Sequence, residues 1–93
     1  MKLHWSERSV NDLLAIQIFI AQDHPHNAKR WVEKLRHRAR QAAEMPLAGR
    51  IVPEFNRRDI REVLLGNYRI VYRVHDKHIL ILTVFEGHRL LKS

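Results

Sequence analysis

The sequence predicts an α+β fold with the element order β-α-α-β-β-β: a helical hairpin laid on a mainly antiparallel sheet. Up to Glu44 the apolar residues recur at spacings of three and four, whereas from Ile60 to Phe85 they alternate with a period of two. Helices first and strands afterwards is the order of an α+β fold, not of alternating βαβ units. A two-residue turn signal, Gly66-Asn67, sits in the middle of the alternating part and joins two strands as a hairpin.

Each element follows from local chemistry. Lys2 to Trp5 alternates polar and apolar and reads as a short strand. Ser6 can cap a helix that runs to about Gln22, because its hydroxyl can accept from a free N–H of the first turn. Within that helix Val10, Leu13, Leu14, Ile16, Ile18, Ile20 and Ala21 cover a wide arc. An arc of this breadth predicts burial on more than one side. Asp23-His24-Pro25 stops the helix and starts the next, since proline in a first turn lacks only an N–H that has no partner there. The second helix runs to about Glu44, with Ala28, Trp31, Val32, Leu35, Ala39 and Ala42 as its apolar stripe. Its other side carries Lys29, Arg30, Lys34, Arg36, Arg38 and Arg40. Met45 to Asp59 contains Pro46, Gly49 and Pro53 and reads mostly as loop. Strands follow at Ile60 to Leu65, Tyr68 to His75 and His78 to Phe85, the last two joined by Asp76-Lys77.

Composition narrows the function. The 93 residues make one domain, 1–93, near the lower end of what folds alone. There is no cysteine, which excludes disulfides, a thiolate nucleophile and cysteine-based zinc sites. No stretch reaches the roughly 20 apolar residues of a membrane span. The N-terminus lacks the apolar core of a signal peptide, so a cytoplasmic location is expected. Lys and Arg number 17 against 10 Asp and Glu, a formal net charge of +7. Such a surplus speeds encounters with polyanions, and the partners it fits are nucleic acid, a nucleic-acid machine or an acidic protein.

The strand from Tyr68 carries the first candidate site. Tyr68, Ile70, Tyr72 and Val74 share one face, and Arg69, Val71 and Arg73 the other. Arg69 and Arg73 then stand about 13 Å apart on a partly basic face, at roughly 3.3 Å per residue. Arg61 and the late Arg89 are expected to join them there. Guanidinium groups bind phosphate bidentately and stabilise developing negative charge. The basic ridge of the second helix, Arg30, Lys34 and Arg38, reads first as a solvated face; docking on DNA phosphate or an acidic partner is the functional alternative. His24 and His26 flank a proline, and His75 and His78 flank a hairpin tip. Neither pair has a zinc-ligand spacing, so no metal and no cofactor is expected. His88 beside Arg89 reads first as an exposed histidine of the tail; an acid or base near neutral pH is the functional alternative. Trp5 and Trp31 are expected in the core. No phosphate-cradling glycine loop and no serine–histidine–acid spacing is present.

These residues, taken in order, resemble a known family. Pro46-Leu47-Ala48-Gly49-Arg50, Arg61-Glu62, Gly66-Asn67-Tyr68-Arg69-Ile70-Val71-Tyr72-Arg73-Val74, Ile79-Leu80-Ile81-Leu82 and Glu86-Gly87-His88-Arg89 are similar to the RelE/ParE toxin superfamily along essentially the whole chain. The resemblance implies the toxin of a type II toxin–antitoxin pair, held in a hetero-oligomer by a small cognate antitoxin. RelE-like members are ribosome-dependent endoribonucleases that cut messenger RNA. ParE-like members poison DNA gyrase. A RelE-like site would carry over to Arg61, Arg69, His88 and Arg89, but the late tyrosine of many such enzymes has no counterpart after Arg89. A YoeB-like set would use Glu62 or Glu54 with Arg69 and His88, and lacks the same tyrosine. Arg50 after Gly49, the Arg61-Glu62 pair and Tyr68-Arg69-Ile70 resemble ParE more closely. The expectation is therefore a ParE-like gyrase inhibitor that binds rather than cuts, with Arg61, Arg69, Arg73, His88 and Arg89 as target contacts. The alternative is an endoribonuclease that meets the ribosome and mRNA.

Overall fold

The computed structural model describes residues 1–87. In chain order the elements are β1 (Lys2–Trp5), α1 (Glu7–Asp23), α2 (Pro25–Glu44), β2 (Arg50–Ile51), β3 (Ile60–Leu65), β4 (Tyr68–Val74) and β5 (His78–Glu86). The α+β architecture agrees with the expectation. One element does not: the segment read as loop contains the two-residue β2, whose Arg50 and Ile51 pair with Glu62 and Arg61 of β3. Two residues flanked by Gly49 and Pro53 give no period to detect, so only tertiary pairing makes them a strand.

The sheet order is β1-β5-β4-β3-β2. β1 runs parallel to β5, and the other neighbours are antiparallel. The parallel pair follows from topology, because the whole helical hairpin lies between β1 and the later strands. At the β3–β4 turn Gly66 adopts φ +56 while Asn67 does not have positive φ. Glycine therefore takes the left-handed position, and its missing Cβ leaves room for the Trp31 ring, whose nearest atom would be 3.3 Å from a Cβ there. A register shift between Val71 and Tyr72 marks a bulge against β5.

Capping places the helices. Ser6 accepts from the Ser9 N–H at 3.0 Å and donates to the Leu82 carbonyl at 3.1 Å, so one side chain starts α1 and ties it to β5. Asp12, further along α1, accepts from the Thr83 hydroxyl at 2.6 Å and the Val84 N–H at 3.0 Å. The main core lies between the helices and the sheet and includes Leu13, Val32, Leu35, Ala39, Ile70, Tyr72, Ile79 and Ile81. A second, smaller cluster of Val52, Ile60 and Val71, with Phe55, Leu82 and Phe85 against it, lies on the opposite face under the 52–59 segment.

The helices divide the burial unequally. Six residues of α2 are buried, whereas α1 buries only Ser9 and Leu13. Val10, Leu14, Ile18 and Phe19 are exposed, the last three by more than half. The expected burial of α1 on more than one side is thus not met among the described residues: one side meets α2 and β5, and the other is exposed. Trp5 packs against the core as expected, but Trp31 lies at its edge, half-buried, with its ring 6.1 Å from that of Tyr68.

Candidate functional site

Strand register decides which arginines meet. Arg69 pairs with Leu64 and Phe85, and Arg73 with Ile60, on the sheet face turned away from the helices. Arg61 pairs with Tyr72, whose ring lies in the helical core, and so does not share the face of Arg69 and Arg73. Its guanidinium instead donates to the carbonyls of Arg58, Leu47 and Gly49 at 3.0, 3.1 and 2.9 Å. Arg61 holds the turn before β2 against β3. His88 and Arg89 lie outside the described residues.

Arg69 is not presented to solvent. It is only 6% exposed. Its Nη1 and Nη2 donate to the two Glu54 oxygens at 2.8 and 2.9 Å, and its Nε donates to Glu62 at 2.7 Å. The Phe85 ring lies 5.0 Å from the guanidinium carbon. Glu62 is itself buried and takes a second arginine, Arg50, at 3.0 Å. The result is an alternating row, Arg50–Glu62–Arg69–Glu54, with two cations and two carboxylates. The Glu54 hydrogen bonds raise the pKa of Arg69, desolvation opposes this, and Glu62 adds to the rise. The guanidinium is permanently charged, and each of its three nitrogens meets a carboxylate oxygen.

Arg73 is different. It is exposed, and its Nε donates to Asp59 at 3.1 Å. Asp59 also receives Arg57 through both carboxylate oxygens, at 2.8 and 3.1 Å. Desolvation alone would raise the pKa of Asp59, but the hydrogen bonds and charge of Arg57, with the charge of Arg73, bring it below the ordinary value. The sheet face expected to be basic is therefore a set of ion pairs, because Glu54 and Asp59 from the 52–59 segment and Glu62 from β3 supply the counter-charge.

In the sequence Glu54 and Glu62 stand as alternatives in a YoeB-like catalytic set, and Glu62 also in the ParE-like Arg61-Glu62 pair. Their structural role had a signal: Ile60, Glu62 and Leu64 share one face of β3, so a carboxylate there, in the middle of a strand, needs a cation beside it. Asp12 had a weaker one, a lone acid inside an apolar arc. Beside Asp12 a groove of about 310 Å³ runs between α1 and the end of the sheet, lined among others by Phe19, Tyr68, Phe85 and Glu86. Among the described residues no group of histidines and carboxylates is arranged to hold a metal ion. His4, His78 and His75 instead stack, with successive ring centroids 4.5 Å apart. No helix among the described residues is long and apolar enough to cross a membrane.

The geometry can be set beside known proteins. The profile of a family described as "ParE toxin of type II toxin-antitoxin system, parDE" matches residues 3–91. Among solved structures, one described as "Chromosomal ParDE TA system from P. aeruginosa" is similar at a TM-score of 0.79 and 22% identity, over 92% of this chain and 95% of that one. No curated protein sequence gives a significant match.

Proposed function

The chain belongs to the ParE toxin family of type II toxin–antitoxin systems, and from that premise we propose that it acts by binding DNA gyrase and stalling it with its DNA cut. It is a binder in this reading, not a nuclease. The observation that carries the choice is the state of Arg69. An endoribonuclease would need this guanidinium free to meet the transferring phosphoryl group. Here all three of its nitrogens are engaged by Glu54 and Glu62, and Arg69 and Glu62 are themselves buried. Breaking that row to admit a phosphate would leave two carboxylates beside the incoming anion. Arg61 is likewise occupied by backbone carbonyls.

Arg69 and Arg61 thus act as positioning residues that fix the 45–59 segment on the sheet. Arg73, exposed at the rim, contacts the target together with His88 and Arg89, which follow β5 in sequence. The chain works in the cytoplasm, where gyrase and its DNA are found.

The open face of α1 supports an antitoxin partner. Val10, Leu14 and Ile18 recur every four residues and Phe19 adjoins them, so they form one apolar stripe that is exposed among the described residues. An exposed stripe of this kind marks an interaction site. An amphipathic segment of the antitoxin covers it in a toxin–antitoxin hetero-oligomer, as helices commonly fill such surfaces. The similar structure belongs to a ParDE toxin–antitoxin system, which supports this reading.

Induction of the chain alone in cells tests the target. DNA breaks with an SOS response ahead of any fall in protein synthesis is the expected result. Translation arrest with cut messages as the first event would replace gyrase by the ribosome.

A further inference from the structure

The surplus positive charge of the chain is concentrated on α2. On the sheet, Arg50 and Arg69 share Glu62, and Arg57 and Arg73 share Asp59. α2 carries Lys29, Arg30, Lys34, Arg36, Arg38 and Arg40 against Glu33 and Glu44, a surplus of four in a chain of net +7. Among the described residues, the ion pair on α2 is Arg36 with Glu33 at 2.8 Å.

Arg30, Lys34 and Arg38 recur every four residues, which sets their Cα atoms about 6 Å apart along one side of the helix. The row is partly ordered before any partner arrives. Arg38 donates to the Leu64 carbonyl at 3.2 Å and to Gln41 at 3.4 Å, and Lys34 sits 5.2 Å over the Trp31 ring. A cleft of about 430 Å³ runs beside the row, with Leu65 as its apolar residue.

The chemistry of the partner follows from what this face lacks. Beyond Pro25 every exposed position of α2 is polar or charged. Protein interfaces centre on a desolvated apolar or aromatic cluster, and among the described residues the continuous exposed apolar row is on α1, with Met45 and Leu47 lying beyond the end of α2. A nucleic-acid backbone needs no apolar centre. It is held by cations through phosphate, with release of counterions, and guanidinium groups match its oxygens two at a time. We propose that the Arg30–Lys34–Arg38 face of α2 binds the phosphate backbone of duplex DNA without reading its sequence. The proposal does not depend on gyrase as the target, and its test contains none.

The test is fluorescence anisotropy of the full chain with a labelled 20-base-pair duplex across a salt series. Three phosphate contacts give a log–log salt slope of about −2.7, so affinity falls about 40-fold between 50 and 200 mM salt. The variant Arg30→Gln/Lys34→Gln/Arg38→Gln should cut binding at low salt by more than tenfold and flatten the slope by 2 to 3, roughly one for each contact removed. A second variant, Lys2→Gln/Arg8→Gln/Lys77→Gln, removes the same net charge elsewhere and should keep most of the slope. Circular dichroism and urea unfolding of both variants confirm that the fold is intact. Equal losses in the two variants would reduce the effect to net charge and overturn the proposal. It would also be overturned if poly-glutamate bound as tightly as DNA through the same three residues, since an acidic protein would then be the occupant. Absence of salt-dependent DNA binding by the unaltered chain would end it outright.

Discussion

Glu54 grips Arg69 bidentately, at 2.8 and 2.9 Å, across fifteen residues of chain. The pair pins the 52–59 segment to the far face of the sheet, over Val71 and beside Phe85. Removing Arg69 leaves Glu62 buried with one partner, Arg50, and Glu54 with no bidentate cation. Arg69→Ala is expected to lower the unfolding free energy by about 3 kcal/mol or more, the usual cost of removing one partner from a buried ion pair. Glu54→Gln should cost less, because Glu54 is partly exposed. Urea unfolding of the two variants checks the order, and equal losses would mean that Glu62 is not the deeper anchor.

Gly49 and Tyr72 make a second, separable contact. Tyr72 is buried in the core, and its hydroxyl donates to the Pro46 carbonyl at 2.7 Å. A Cβ on Gly49 would collide with that hydroxyl and come within 2.9 Å of the Glu62 carbonyl. Gly49→Ala should therefore cost about 1–3 kcal/mol by overpacking. In a Tyr72→Phe background the added cost should shrink, since the hydroxyl is gone. A double-mutant cycle measures this, and full additivity would exclude the contact.

Stability should also fall on the acid side because of the histidine stack. Desolvation within it, then the charges of His4, His75 and Lys2, hold the pKa of His78 below its ordinary 6.5. The folded state therefore binds this proton less readily than the unfolded chain does. The contribution is fully present above pH 6.5 and is lost as pH falls through the lower folded value. In His78→Gln the loss between pH 7.5 and 5.5 should be smaller. An identical acid limb in the variant would show that another group is responsible.

The apolar stripe of α1 should matter for partnership and little for folding. Leu14 and Ile18 are 54% and 64% exposed. Leu14→Ser and Ile18→Ser are each expected to change stability by under about 0.5 kcal/mol. Both should make the isolated chain more soluble and weaken its complex with the co-expressed neighbouring antitoxin by at least tenfold, by titration calorimetry. A loss of several kcal/mol in the free chain would place the stripe in the chain's own core instead.

Much of this was legible in the residues. Ser6, Pro25 and Gly66 each mark a boundary by a local requirement of the backbone, and each boundary lies where that requirement puts it. β2 was not legible, because its two residues become a strand only by pairing with Arg61 and Glu62. Alternation placed Arg69 and Arg73 on one face correctly. It could not place Arg61, whose side depends on the register between β3 and β4. Nor could it show that the arginines of the face are paired with carboxylates, since Glu54 and Asp59 arrive from a segment with no period of its own. The stripe on α1 was visible, but its breadth looked like burial in the chain. A surface kept for a partner and a surface kept for the core have the same sequence pattern.

The gyrase reading is tested most directly by purified chain and purified gyrase acting on relaxed plasmid, with a parallel purified translation reaction. The expected result is loss of supercoiling with accumulation of gyrase-linked cut DNA, at chain concentrations that leave messages on ribosomes whole. Supercoiling left untouched while messages are cut in the ribosomal A site would contradict it, and would require Arg69 to leave Glu54 and Glu62 when the ribosome binds.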